Sequence, residues 1–416
     1  MKSFDVLIVG GGAAGITVAA ILRRQRPQLS VGLIEPSDRH YYQPGWTIVG
    51  GGEYTLDKTR RATAALIPRG VDWLQHAAQA FEPQQNSVIL ANGERVGYRM
   101  LVACPGIKND WEKIAGLHDA LGKDGVCSNY SAETVESTWR FIDAFRGGKA
   151  LFTQPPMPIK CPGAPQKIAY LAADRWRRRG YSDKCDMHFM TATPTMFGVP
   201  YYAKALDKVI ASYSITPHFK HNLVAIDGDR REATFEVTGE NDQKSHQTFH
   251  YDLIHVTPPQ SPPDFVKNSP IANEAGYIEV DQGNMRSTRF ENIFALGDAC
   301  STPNSKTAAA VRKQAPVLVA NLLAVVDGRE MTQTYDGYAS CPLTTSLDKV
   351  MLAEFIYGGK VAPTFRMEPS VPRKIWWYGK TIGFPWLYWD IMLKGRHFID
   401  VRHGEDKAAP FLQESA

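Results

Sequence analysis

Residues 4–15 read FDVLIVGGGAAG. Phe4 to Val9 is a near-continuous apolar run, the pattern of a parallel strand buried on both faces, and Gly10, Gly11, Gly12, Ala13, Ala14 and Gly15 follow it without a break. From Ala13 the run AAGITVAAILRR reads as a helix, and Val31 to Ile34 as a second strand ending at Glu35, about twenty residues beyond Gly15. Strand, glycine turn, helix, strand and acid at these offsets describe a dinucleotide-binding βαβ unit. Gly10 permits the tight turn, Gly12 lets the backbone approach a pyrophosphate at the helix N-terminus, and Gly15 allows close helix–strand packing. Glu35 can accept from a ribose hydroxyl. A glycine turn without a ligand is the bland alternative, and the complete context argues against it.

The whole chain has 416 residues, enough for two or three domains with sizeable cores. At 44% hydrophobic and 22% charged, with no low-complexity tract, it is not a disordered protein. A net charge of +4, evenly spread, argues against a nucleic-acid groove. Six cysteines in so long a chain cannot be a disulfide scaffold, and no CxxC or Cys/His cluster suggests a metal. No run of about 18 apolar residues predicts a membrane span. The first strand begins at once, which leaves no room for a signal or transit peptide and suggests a bacterial protein.

The choice between FAD and NAD turns on downstream residues. Asn292 to Asp298, NIFALGD, is a short apolar strand ending in Gly297-Asp298, and it resembles the second FAD fingerprint of glutathione-reductase-like flavoproteins, whose Asp holds the ribityl chain. Tyr98 to Gly106, YRMLVACPG, resembles the intermediate strand of that superfamily, although Cys104-Pro105 replaces the usual residues before Gly106. Ala78 joins these as an expected cofactor contact. After Asp298 come Ser305-Lys306-Thr307 and the helix pattern AAAVRKQAPVLVANLLAVV, with Ser305 as the expected N-cap and Pro316 as the expected kink. A helix N-terminus aimed at the flavin pyrimidine would stabilise reduced flavin. FAD is therefore the expected cofactor.

NADH-using relatives of this frame carry a second glycine turn near mid-chain. Here Lys149 to Gln154 reads as the strand, Ile168 to Arg178 as the helix and Asp186 to Ala192 as the next strand. Between strand and helix stands PPMPIKCPGAP (155–165), whose prolines supply no N–H and which has no glycine triplet. A cysteine, Cys161, occupies the loop instead, ahead of a helix whose positive end could lower its pKa. Cys341, in YASCPLTT, repeats the proline-flanked loop pattern. Two such cysteines could attack and resolve as a redox pair, or be small buried hydrophobes, the reading kept for Cys104, Cys185 and Cys300.

Several longer segments resemble the sulfide:quinone oxidoreductases of the flavoprotein disulfide reductase superfamily, in the branch that includes the mitochondrial enzyme. These are IKCPGAPQK (159–167), FGVPYYAKAL (197–206), HVTPPQSPPD (255–264), LGDACSTPNSKTAAAV (296–311), YDGYASCPL (335–343) and AEFIY (353–357). The resemblance implies that Cys161 and Cys341 are the redox pair, bridged at rest by a disulfide or trisulfide. Hydrosulfide would attack at Cys341, a small acceptor such as sulfide, sulfite, a thiol or glutathione would take the sulfane sulfur, and FAD would pass two electrons to ubiquinone or menaquinone. Lys306 resembles a family residue near the flavin. Cys127, in GVCSNYS, looks like the third cysteine of the distant bacterial branch, with a structural thiol as the favoured reading.

Four of the nine tryptophans fall between Ile375 and Phe398, interleaved with Lys380, Lys394 and Arg396, as suits a membrane interface. The family is monotopic, so the resemblance implies a peripheral location on the bacterial cytoplasmic membrane, with Phe355, Tyr357 and the Trp-rich segment lining the quinone route. A packed C-terminal domain or a homo-oligomer interface is the alternative use of that segment. Arg177 to Arg179 reads as a solvated helix end and His255 as a core histidine. The expected fold is α/β, with two Rossmann-like domains and a C-terminal membrane-associated segment: residues 1–112 and 285–335 for FAD, 113–284 for the cysteine-bearing unit, 336–416 for the second cysteine and quinone. An NADH:quinone oxidoreductase and a sulfide dehydrogenase subunit serving a cytochrome are the competing functions.

Overall fold

The computed structural model describes residues 1–396 and 402–412. The strand Lys2–Val9 is flanked by Val31–Ile34 and Arg95–Ala103, both parallel to it, with Val71–Leu74 outside the former. Ile293–Ala295 joins Arg95–Ala103 in parallel from the far end of the sequence. Antiparallel strands Ser87–Leu90 and Ala78–Glu82 complete the other edge. Register makes the site: Val9 lies opposite both Ile34 and Ala103, and Ala103 opposite Ala295. Consequently Gly10, Glu35, Cys104 and the Leu296-Gly297-Asp298 turn all leave the same carboxyl edge, where open parallel sheets bind ligands.

The glycines obey hard constraints. Gly10 has φ +105°, and a Cβ there would lie 2.4 Å from the Cys104 carbonyl oxygen. A Cβ on Gly15 would sit 1.9 Å from the Gly10 carbonyl oxygen, so the helix Ala13–Gln25 approaches the strand only with glycine at that position. Gly12 caps that helix and has open space around it.

A second parallel sheet runs in the order Val126–Cys127, Leu253–His255, Gly148–Gln154, Cys185–Thr191, Thr216–Phe219. The expected strand–loop–helix–strand frame is present, and its helix begins at Ala164 rather than Ile168 because Pro165 fits the first helical turn, where no N–H is needed. A hairpin, Ala339–Ser346 with Lys349–Ile356, follows, and helical turns then run from Lys374 to Met392. Phe398, the expected end of the aromatic segment, lies outside the described residues.

Two details of the helix Ala308–Val326 differ from expectation. Its N-cap is Thr307, whose hydroxyl accepts from the Ala310 N–H at 3.2 Å, and not Ser305. It also continues through Pro316 to Val326. By length and composition this helix could cross a membrane, but more than half of it is buried. It packs on Ala13–Gln25, with Val311, Leu318 and Leu322 in the core of the first domain, as a core helix does. Substituting Gly15 with Ala should lower the unfolding temperature and cost about 2 kcal/mol or more; flavin absorbance lost at a temperature where the parent retains it would register the same defect.

Candidate active site

A cavity of about 780 Å³ lies between the carboxyl edges of the two sheets and the Lys374–Met392 segment. Gly10, Gly12, Ala13 and Ala14 line it, as do Glu35, Gly106, Gly297, Asp298 and Lys306. Glu35 is held ready: its Oε2 accepts from the Gly11 N–H and its Oε1 from the Ser37 N–H, both at 2.8 Å. No side chain caps the helix at Gly12, so its first N–H groups are left for a ligand. Open space at Gly12, close packing at Gly10 and Gly15, and a preoriented acid fit a dinucleotide pyrophosphate and ribose. Asp298 is buried enough that its carboxyl is held above its ordinary range, against the pull of Lys306 and Lys160. Gly15 sits beneath the turn rather than on the cavity. Ala78 also lies off it, because its strand forms the far edge of the sheet.

The loop before the second helix is closed to a second dinucleotide. Lys160 N–H donates to Gln260 Oε1 at 2.7 Å, Cys161 N–H to the Lys306 carbonyl at 2.8 Å, and Ala164 N–H to the Cys161 carbonyl at 2.8 Å. Three of the loop's N–H groups are thus already used within the protein, and the bond to Lys306 ties the loop to the first domain. Cys161 itself has φ +50°, uncommon for a non-glycine residue, and its thiol is turned onto the cavity.

Cys161 Sγ lies 3.7 Å from Cys341 Sγ and 3.1 Å from Lys167 Nζ. All six cysteines are free thiols in this structure. The Cys341 S–H donating to Cys161, and after it the Lys167 cation, hold the Cys161 thiol well below its usual range despite burial. The same contact, with burial, pushes Cys341 well above its own. Lys167 is 1% exposed; burial favours its neutral form, but the two sulfurs outweigh it and keep it a cation.

Lysine supplies the remaining charge. Lys380, 2% exposed, donates to the Pro44 carbonyl at 2.9 Å; burial, and then repulsion from Lys167, bring it down to about 7. Lys160 is brought down to about 8 by burial and donates to Gln43 Oε1 at 3.0 Å. Lys306 is buried, not a surface lysine, and its ammonium donates to the Cys300 and Thr302 carbonyls at 2.6 and 3.1 Å. Four lysines therefore line one apolar cavity, which suits an anionic substrate, a thiolate and an electron-rich cofactor. The sequence assigns no role to Lys167, and Lys380, expected at the membrane interface, is instead buried on the cavity.

Strand alternation sorts the hairpin. Ser340, Pro342, Leu352 and Glu354 face the cavity, while Cys341, Leu343, Ala353 and Phe355 face the core beneath the helix Ala164–Arg178. Phe355 packs on Phe197 and Tyr202 and does not reach the cavity. Tyr357 turns away as well, donating to the Gln282 carbonyl at 2.9 Å. Both are corrections to the expected quinone route; the apolar wall is built instead from Pro342, Phe365, Phe384, Leu387 and Met392. The inner face of the Lys374–Met392 segment also seats Tyr388 against His40 Nε2 at 2.6 Å, and His40 Nδ1 lies 3.2 Å from the Gly11 carbonyl. Burial brings His40 down to about 4.

Of the other singled-out residues, Cys104 lines the cavity, whereas Cys127, Cys185, His255 and Cys300 do not. Cys127 is fully buried off the cavity, with its thiol pushed up to about 12 by burial. His255 is buried, its Nε2 bonded to Asn129 Oδ1 at 2.8 Å, and burial brings it down to about 3. Cys104 and Cys300 are buried and Cys185 half-buried. Among the described residues no cluster of His, Cys, Asp or Glu could hold a metal.

Comparisons place the chain among known proteins. A family model, lycopene cyclase protein, matches residues 5–52, the first strand–glycine turn–helix unit and its sequel. The mitochondrial sulfide:quinone oxidoreductase of Mus musculus is 40% identical over 94% of this chain and 87% of its own length. That of Dictyostelium discoideum is 41% identical, covering 94% and 86%. The crystal structure of the sulfide:quinone oxidoreductase from Aquifex aeolicus has the same fold, with a TM-score of 0.75 over 95% of this chain and 92% of that one at 18% identity.

Replacing Lys167 with Met should raise the Cys161 pKa, because the fixed cation is lost while burial remains. Alkylation of the reduced protein by iodoacetamide at neutral pH should slow by about tenfold or more at Cys161. Lys380 is a cation below about 7 and neutral above it. The alkylation rate of Lys380→Met should accordingly lose whatever inflection the parent shows near that pH.

Proposed function

The chain belongs to the sulfide:quinone oxidoreductase family, and from that premise we propose how its own residues carry out the reaction. As a member it is a flavoprotein that oxidises hydrogen sulfide and delivers the electrons to quinone. The flavin is FAD, held by the Gly10–Gly15 turn, Glu35, Gly106, Gly297, Asp298 and Lys306. When bound, it supplies a two-electron acceptor that can be reoxidised by quinone.

The sulfur chemistry rests on the pair Cys161 and Cys341. In its oxidised, bridged state, hydrosulfide attacks the Cys341 sulfur; the new S–S bond makes a Cys341 persulfide as the Cys161–Cys341 bond breaks, and Cys161 leaves as a thiolate. Lys167 receives that thiolate at 3.1 Å, the observation that carries this assignment. A stabilised thiolate leaves faster, and the Lys167 cation beside the Cys161 sulfur favours Cys161 as the leaving group. Cavity access favours attack at Cys161 instead, since Cys341 is buried behind it, but that route would not release the thiolate at the sulfur that Lys167 contacts. The outer persulfide sulfur passes to a small nucleophile such as sulfide, sulfite, a thiol or glutathione. The remaining Cys161–Cys341 dithiol would close again to the disulfide, releasing two protons, with the bound flavin supplying the two-electron oxidant.

Quinone enters along Phe384, Leu387 and Pro342 from a membrane. Ile375, Tyr378, Ile382 and Trp386 recur at helical spacing and are 45–66% exposed, an apolar stripe on the outside of the segment whose inside carries Lys380 and Tyr388. This supports peripheral attachment to the quinone-bearing membrane. The relatives from Mus musculus and Dictyostelium discoideum are mitochondrial, and they do not support the bacterial address expected from the sequence. The NADH-dependent alternative is not favoured: the relatives are sulfide:quinone oxidoreductases, and the second loop has no glycine turn and spends the N–H groups of Lys160, Cys161 and Ala164 on the protein.

Cys161→Ser should retain flavin yet reduce it with sulfide at least about a thousand-fold more slowly. Rapid quench of the parent with one equivalent of sulfide should place the persulfide on the Cys341 peptide; persulfide on Cys161 alone would reverse the direction of attack. For the membrane, Ile375→Asp with Ile382→Asp should weaken vesicle binding by about a hundredfold while sparing turnover with a soluble quinone analogue.

A further inference from the structure

The arginine run at the end of the helix Ala164–Arg178 is not a plain solvated terminus. Asp174, 1% exposed, accepts from Arg177 Nη2 at 2.7 Å, Arg178 Nε at 2.9 Å and the Leu347 backbone N–H at 2.9 Å. This anchors both guanidinium groups against the turn of the Ala339–Ile356 hairpin. Arg178 and Lys374 each reach Asp348, at 3.3 and 3.4 Å. The Lys349 ammonium makes no ion pair or hydrogen bond among the described residues; the Lys349 carbonyl accepts from the Thr345 hydroxyl at 3.4 Å. Together with Ser212 and Tyr213 these groups wall a cleft of about 500 Å³ in which four cations face two carboxylates.

The cleft adjoins the apolar stripe. Lys374, on its wall, is the first residue of the helical segment that exposes Ile375, Tyr378 and Ile382. Charge elsewhere on that segment is largely spent: Lys380 points inward, and Lys394 pairs with Asp390 at 2.6 Å. A surface that dips apolar side chains into a bilayer gains from cations at headgroup depth, and guanidinium forks match phosphate oxygens.

We propose that this cleft binds the phosphodiester headgroup of an anionic phospholipid while the stripe enters the acyl region. The inference rests on the membrane attachment argued above. Arg177 and Arg178, fixed by Asp174, present the planar donors, and Lys349 and Lys374 supply charge at the rim.

The test is vesicle co-sedimentation of the flavin-loaded full chain at matched ionic strength, with phosphatidylcholine vesicles and with vesicles containing phosphatidylglycerol. The double variant Lys349→Gln, Lys374→Gln should bind the anionic vesicles about ten- to thirtyfold more weakly than the parent and the neutral vesicles equally well. Activity with a soluble quinone analogue should not change. A control with the same charge loss elsewhere, Lys123→Gln with Lys244→Gln, should stay within about threefold of the parent. Equal losses in both doubles, or a parent indifferent to phosphatidylglycerol, would overturn the headgroup site while leaving membrane attachment intact; no binding to either vesicle would overturn the attachment itself. Displacement by inorganic phosphate beyond the effect of chloride would reassign the cleft to a free anion and overturn the lipid as its ligand.

Discussion

A thiolate buried away from water persists only beside fixed positive charge, and the 3.1 Å contact from Lys167 to Cys161 meets that requirement. Much of the architecture serves it. Lys167 lies one turn into a helix whose preceding loop is bonded to the Lys306 carbonyl, so the sulfur, its cation and the cofactor cavity share one rigid frame. Cys341 approaches from the hairpin where a neighbouring glycine leaves room: a Cβ on Gly163 would stand 2.7 Å from its sulfur. Lys380 then closes the cavity from the C-terminal segment.

That segment joins two tasks in one amphipathic element. Its inner face supplies Lys380 to the sulfur site and Tyr388 to His40, which touches the glycine turn of the cofactor site; its outer face is the exposed apolar stripe. Entry of that stripe into a bilayer would therefore be mechanically linked to assembly of the cavity. Removing the segment would disturb both, which makes point changes on the stripe more informative than truncation.

What could be read from the sequence follows from how local each constraint is. The Gly10–Gly15 turn, Glu35 and Gly297-Asp298 were legible because the turn and the acid impose residue types at fixed spacing. The proline-rich loop was legible as the loss of a nicotinamide site for the same reason. Lys167 and Lys380 were not, because a lysine's burial is decided by elements far away in sequence: the hairpin for the first, the Pro44 loop for the second. Phe355 and Tyr357 misled because aromatic character says nothing about which face of a strand is wet; one residue of register separates Glu354 on the cavity from Phe355 in the core. The N-cap moved from Ser305 to Thr307 because Lys306 is bridged to Lys160 in extended form, so the helix starts only after it.

The central claim, that this cavity takes its electrons from sulfide through the cysteine pair and not from a nicotinamide, is tested most directly by anaerobic visible absorbance of the purified yellow protein. Sulfide should bleach the flavin, decylubiquinone should restore the colour, and NADH should leave the spectrum unchanged. Bleaching by NADH with none by sulfide would contradict the account and withdraw both cysteine assignments.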